Sequence, residues 1–89
     1  MIAFRIKITG RVQGVFFRAS TKEKADELNV LGWVRNEPDG TVLIEGEGAE
    51  DQMKEFRQWC TIGSPASKVE GVVVEEISVQ GFNSFEIFY

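Results

Sequence analysis

A chain of 89 residues, 43% apolar and 11% aromatic, has room for one domain with a modest core and lacks the composition of a disordered or fibrous protein. Its single cysteine, Cys60, excludes an internal disulfide, and the absence of histidine removes the usual ligands of zinc and iron–sulfur centres, so metal chemistry is not expected. The net charge of −4 conceals a polarity: Arg5, Lys7, Arg11, Arg18 and Lys22 precede the first acid, Glu23, whereas residues 23–89 hold five bases and fourteen acids. That distribution suits a small anion held at one spot and argues against a nucleic acid, which needs a broad basic face.

Ala3 to Thr9 alternates Phe4, Ile6 and Ile8 with Arg5, Lys7 and Thr9, the period-two pattern of a strand with one buried face. The charges in that run leave no stretch apolar enough for a signal peptide or a membrane span, so the expected setting is the cytoplasm, away from membranes. Gly10 to Arg18 follow as a glycine-bounded turn leading into a helix. Glycine lets backbone amides converge, the helix start leaves N–H groups unpaired, and Arg18 adds a charged fork, so this is a place to hold an anion.

Phe17, Thr21, Ala25 and Leu28 recur at helical spacing against a face of Lys22, Glu23, Lys24, Asp26 and Glu27, with Asn29 and Gly32 as stop signals. Leu31–Asn36 and Thr41–Glu47 read as two strands joined by Glu37, Pro38, Asp39 and Gly40, a hairpin turn. A second helix opens on Glu50 and Asp51, sets Met53, Phe56 and Cys60 toward a core and stops by Gly63; Pro65 marks its exit loop. Val69–Val79, rich in β-branched residues, and the aromatic Phe85–Tyr89 close the chain as a long and a short strand. Phe16, Phe17, Trp33 and Trp59 are expected to pack in the core or between helix and sheet, with Trp33 the one close to the turn.

The order βαββαβ plus a short final strand favours an antiparallel sheet with two helices on one face, a ferredoxin-like α/β sandwich formed by residues 1–89 as one domain. That fold hosts RNA binders, metal chaperones, regulatory modules and hydrolases, so the site has to decide function. An RNA-reading sheet is disfavoured, because Thr41–Glu47 lacks interleaved basic and aromatic residues. Taken singly, Arg18 is an ordinary helix-start arginine and Asn36 an ordinary hairpin residue. They gain weight together, since this topology can bring the first loop and the end of the second strand to one edge of the sheet.

The run GRVQGVFFR at 10–18 and the run GWVRNEPDGTV at 32–42 resemble the two signature segments of the acylphosphatase family. The resemblance continues through Gly63, Ser64, Pro65, Ser67 and Val69 to Phe85, Glu86, Ile87 and Tyr89; Phe88 departs from it, standing where many relatives carry a basic residue. It implies hydrolysis of the carboxyl–phosphate bond of acyl phosphates without metal or cofactor, with inorganic phosphate as product and competitive inhibitor. By position it implies a phosphate cradle from the backbone amides of Gln13, Gly14, Val15, Phe16 and Phe17, a catalytic Arg18 and a water-positioning Asn36. A carboxylate leaving group, whose acid has a pKa of about 4, needs no proton, which makes the missing histidine intelligible. The alternative is a related module that binds phosphate for regulation or assembly without turnover. The tight fit of the chain to the fold favours a freestanding monomeric enzyme.

Overall fold

The computed structural model describes residues 1–89 as β1 (Ile2–Arg11), α1 (Phe17–Glu27), β2 (Leu31–Asn36), β3 (Val42–Gly48), α2 (Glu50–Ile62), β4 (Lys68–Ile77) and β5 (Phe85–Phe88). The strands form one sheet in the order β4-β1-β3-β2-β5. β1 pairs antiparallel with β3 and β4, and β2 pairs antiparallel with β3. The ferredoxin-like arrangement of the four long strands is thus the one expected, and β5 departs from the antiparallel expectation by running parallel to β2.

The cause lies in the connection. β4 ends at one edge of the sheet, at the end where β2 begins, and the chain crosses to the far edge before β5 starts there. It therefore runs in the direction of β2, with Gly32 N–H donating to Ser84 O at 2.9 Å. The consequence is functional, because β5 finishes beside Asn36 at the opposite end of the sheet. An antiparallel β5 would leave Tyr89 at the wrong end.

The alternation in β1 places Phe4, Ile6 and Ile8 under the helices, opposite Gly46, Ile44 and Val42 of β3. These residues join Phe17, Ala25, Val34, Met53, Phe56, Cys60 and Phe85 in one buried cluster. α1 lies over β2 and β5, and α2 over β4, β1 and β3. Phe56 meets the edge of Phe85 at 6.1 Å between ring centres, so the short last strand is locked into the core by an aromatic pair. Cys60 is fully buried, and desolvation pushes its thiol up to about 12, which keeps it a small protonated hydrophobe. No helix is long and apolar enough to cross a membrane.

Two expected roles change. Gly10 does not belong to the anion turn: it sits in a β-bulge at the end of β1, where the pairing with β4 shifts between Thr9 and Gly10. Its φ is +122°, and a Cβ there would collide with the carbonyl of Lys68, so close approach of two strands explains this glycine. Gly32 likewise lies inside β2 and stops nothing; α1 ends at Glu27, Leu28 caps it, and Asn29 follows in the left-handed region with φ +57°.

Candidate active site

The turn between β1 and α1, the end of β2 and the end of β5 meet at one end of the sheet. Val12, Gly14, Phe16, Phe17, Arg18, Ala19, Asn36, Ile87 and Tyr89 line a cavity there of about 280 Å3. Of the expected site residues, the structure brings Gly14, Phe16, Phe17, Arg18 and Asn36 together around this space. The side chains of Gln13 and Val15 point elsewhere, and only their backbones belong to the turn.

Two left-handed residues shape the loop: Gly14 with φ +70° and Phe16 with φ +59° and ψ +24°. A left-handed residue next to a right-handed one turns successive amides toward one side, as in an anion nest, and Phe16 followed by the helical Phe17 is such a pair. A Cβ on Gly14 would meet nothing within 4 Å, so glycine is favoured there by its dihedral and not by crowding. Left-handed backbone strains a phenylalanine, and it turns the Phe16 ring outward. The ring is 82% exposed, which corrects the expectation that it packs in the core. Phe17 is buried and lies 5.6 Å from the half-buried Trp59, as expected of packing residues.

The amides from Gln13 to Ala19 donate to no carbonyl or side chain; donation resumes at Ser20, to Phe16 O at 3.0 Å. The N-cap position is Phe16, whose side chain has no acceptor, and the first turn of α1 carries no acid. No group of the chain therefore competes for these donors. Arg18 reaches across to β5, where Nη1 donates to Phe88 O at 2.9 Å and the guanidinium lies 4.6 Å from the centre of the Tyr89 ring. Asn36 turns into the cavity with a buried Oδ1 that accepts no hydrogen bond. A buried amide oxygen left without a partner is costly in a structural role and useful in a site that receives a polar group.

The charge around the cavity is narrower than the sequence polarity suggests. Arg5 is engaged with Glu45 at 2.6 Å, Lys7 with Asp39 at 3.1 Å and Lys22 with Asp26 at 3.2 Å. Arg18 faces no carboxylate within ion-pair distance, so it is the charge the cavity presents. Trp33 lies on the opposite face of the sheet, stacked on Phe88 at 5.7 Å with Arg35 over its ring, because residue 33 is out of phase with Asn36 along β2. It does not line the cavity. Phe88, the departure from the family pattern, occupies this aromatic stack, and its carbonyl still serves Arg18.

Sequence reasoning missed the supports of the loop. Gln13 Nε2 donates to Glu37 O at 2.8 Å and Thr41 O at 2.9 Å, and the buried Ser64 hydroxyl donates to Val15 O at 3.0 Å. The contribution of β5 was also missed. Its only sequence signal was the parity of Ile87 and Tyr89 with the buried Phe85.

A ferredoxin-like sandwich whose first loop leaves a row of amides open beside an arginine with no carboxylate partner defines a small phosphate-handling α/β domain, with its site at the end of the sheet. Within that class the chain belongs to the acylphosphatase family, whose model matches residues 4–87. It is 52% identical over 77 residues to an acylphosphatase of Rubrobacter xylanophilus, covering 86% of this chain and 70% of that one. It is 48% identical to an acylphosphatase of Bacillus licheniformis, and the match spans both chains completely. The crystal structure of acylphosphatase from Bacillus subtilis superposes over the full length of both chains with a TM-score of 0.97 at 42% identity.

Proposed function

We propose that the chain hydrolyses acyl phosphates to a carboxylate and inorganic phosphate, with Arg18 and the amides following Val12 holding the phosphoryl group and Asn36 presenting the water. One observation carries this reading: a turn whose amides have no partner, an arginine with no carboxylate partner and an unpartnered buried amide oxygen meet at one cavity. The family supports acyl phosphates as the substrate class.

The amides and the Arg18 fork bind phosphoryl oxygens and stabilise the charge spread over them in the transition state. The Asn36 amide orients a water in line with the phosphorus. The water oxygen forms the new P–O bond, and the electron pair of the broken bond leaves on the carboxylate. Asparagine is too weak a base to take the water's proton, which passes to a phosphoryl oxygen. Acyl phosphate dianion and water thereby give carboxylate and dihydrogen phosphate, with no covalent enzyme intermediate.

The unit is residues 1–89, acting as a monomer in the cytoplasm. A core to which six of the seven elements contribute, with Val69 and Val72 of β4 packed against it, and a lone buried thiol support that setting. Phosphate release from acetyl phosphate and benzoyl phosphate tests the activity, since a module that only binds phosphate gives no rate above the uncatalysed one. Replacing Asn36 by Ala should remove most turnover, about 10²-fold, and leave competitive inhibition by inorganic phosphate nearly unchanged. Equal loss of both would make Asn36 a binding residue.

A further inference from the structure

The cradle and Asn36 lie on segments far apart in the chain, and one side chain joins them. Gln13 donates from Nε2 to the carbonyls of Glu37 and Thr41, at 2.8 and 2.9 Å. These two residues bracket the β2–β3 turn, and Glu37 directly follows Asn36. Two carbonyl acceptors require an NH2 group, so the orientation of the Gln13 amide is settled by its partners, and both of its hydrogens are used.

The turn does not need Gln13 to hold its own shape. Glu37 N–H donates to Thr41 O at 2.9 Å, Gly40 N–H donates to Glu37 O at 3.1 Å, and Asp39 accepts from both the amide and the hydroxyl of Thr41. What the glutamine adds is the placement of that preformed turn against the phosphate loop. Asn36 cannot shift relative to the cradle while both bonds stand.

We infer that Gln13 is a positioning residue for water attack: its backbone belongs to the phosphate loop, and its side chain sets the separation between that loop and Asn36. The inference rests on the reading of Asn36 given under Proposed function. A displacement of about 1 Å between a reacting pair can cost on the order of 10² in rate, so two hydrogen bonds outside the cavity suffice to govern turnover. Asparagine is one methylene short, methionine fills the space without a donor, and glutamate sets an acceptor against two acceptors.

The test is the split between turnover and phosphate binding in Gln13→Met and Gln13→Glu. Benzoyl phosphate turnover should fall about 10- to 100-fold in both at neutral pH, with the inhibition constant of inorganic phosphate within about twofold of wild type. Gln13→Glu should recover part of its turnover as pH falls through the carboxyl range, because the protonated acid offers one O–H donor to one carbonyl. Adding Gln13→Met to Asn36→Ala should cost less than about twofold beyond Asn36→Ala alone, since the positioned group is already gone. Unchanged turnover, phosphate inhibition weakening in step with turnover, or full additivity with Asn36→Ala would each overturn the inference. Wild-type turnover in Asn36→Ala alone would instead overturn the reading of the site on which it rests.

Discussion

Backbone amides converge on an anion position at both ends of this sheet, and the two ends use them differently. At the end where β3 finishes, the crossover from β4 to β5 wraps over Glu47. Gln80 N–H donates to its carboxylate at 2.7 Å, Gly81 N–H at 3.2 and 3.1 Å, and Phe82 N–H at 3.0 Å. At the other end the amides from Gln13 to Ala19 lie on the turn that leads to Arg18, and no carboxylate of the chain accepts from them. One nest is closed by the protein's own anion and serves the fold; the other is left open, as the proposed phosphate site requires. The donors are alike, so the presence or absence of an internal acceptor separates structure from function.

The comparison is sharpened by breaking each nest in turn. Removing the cation of the open nest should have the largest effect: Arg18→Ala is expected to lower turnover by about 10² to 10³ and to weaken inhibition by phosphate, with stability little changed. Arg18→Lys should not restore it, because an ammonium lacks the planar fork. Steady-state kinetics with phosphate as competitor check both variants.

Emptying the closed nest should act on stability alone. Glu47 is 1% exposed, and Glu47→Ala leaves three amides without their acceptor, which is expected to cost about 2 to 4 kcal/mol and to lower the thermal midpoint by about 10 °C or more. Phosphate inhibition in the surviving folded fraction should be that of wild type. A Glu47→Ala variant as stable as wild type would remove the structural half of the comparison.

The smallest effect concerns the turn that carries Asn36 to the open nest. Hydrogen bonds from the Thr41 hydroxyl and amide, with Lys7 adding to them, hold the Asp39 carboxyl down to about 2 from an ordinary value of 3.8. A depressed folded value means that the carboxylate favours folding above the ordinary value and loses that contribution as pH falls through about 4 to about 2. The difference in thermal midpoint between wild type and Asp39→Asn should therefore be present at neutral pH and vanish over that range. The site is exposed, so the difference should be small.

Much of this organisation was legible in the sequence because it rests on local rules. The period-two pattern of Phe4, Ile6 and Ile8, the helical spacing of Met53, Phe56 and Cys60, and the turn at Pro38 to Gly40 each declare themselves within about ten residues. What escaped depended on contacts between distant segments. The direction of β5 follows from where β4 ends, and the need for Gly10 from the approach of Lys68; the face of Trp33, by contrast, was readable from its odd spacing to Asn36 on β2. Gln13 looked like one member of a loop motif, and nothing within ten residues of it shows the carbonyls its side chain reaches. Glu47 read only as the last residue of a strand, because the loop that buries it lies more than thirty positions away.

The most direct test of the open nest is titration of the isotopically labelled protein with inorganic phosphate, following each backbone amide by NMR. The amides of Gln13 to Ala19 should shift in a saturable manner, while those of Gln80, Gly81 and Phe82, already occupied by Glu47, should stay in place. Saturable shifts at residues 80–82, or none at residues 13–19, would contradict the account.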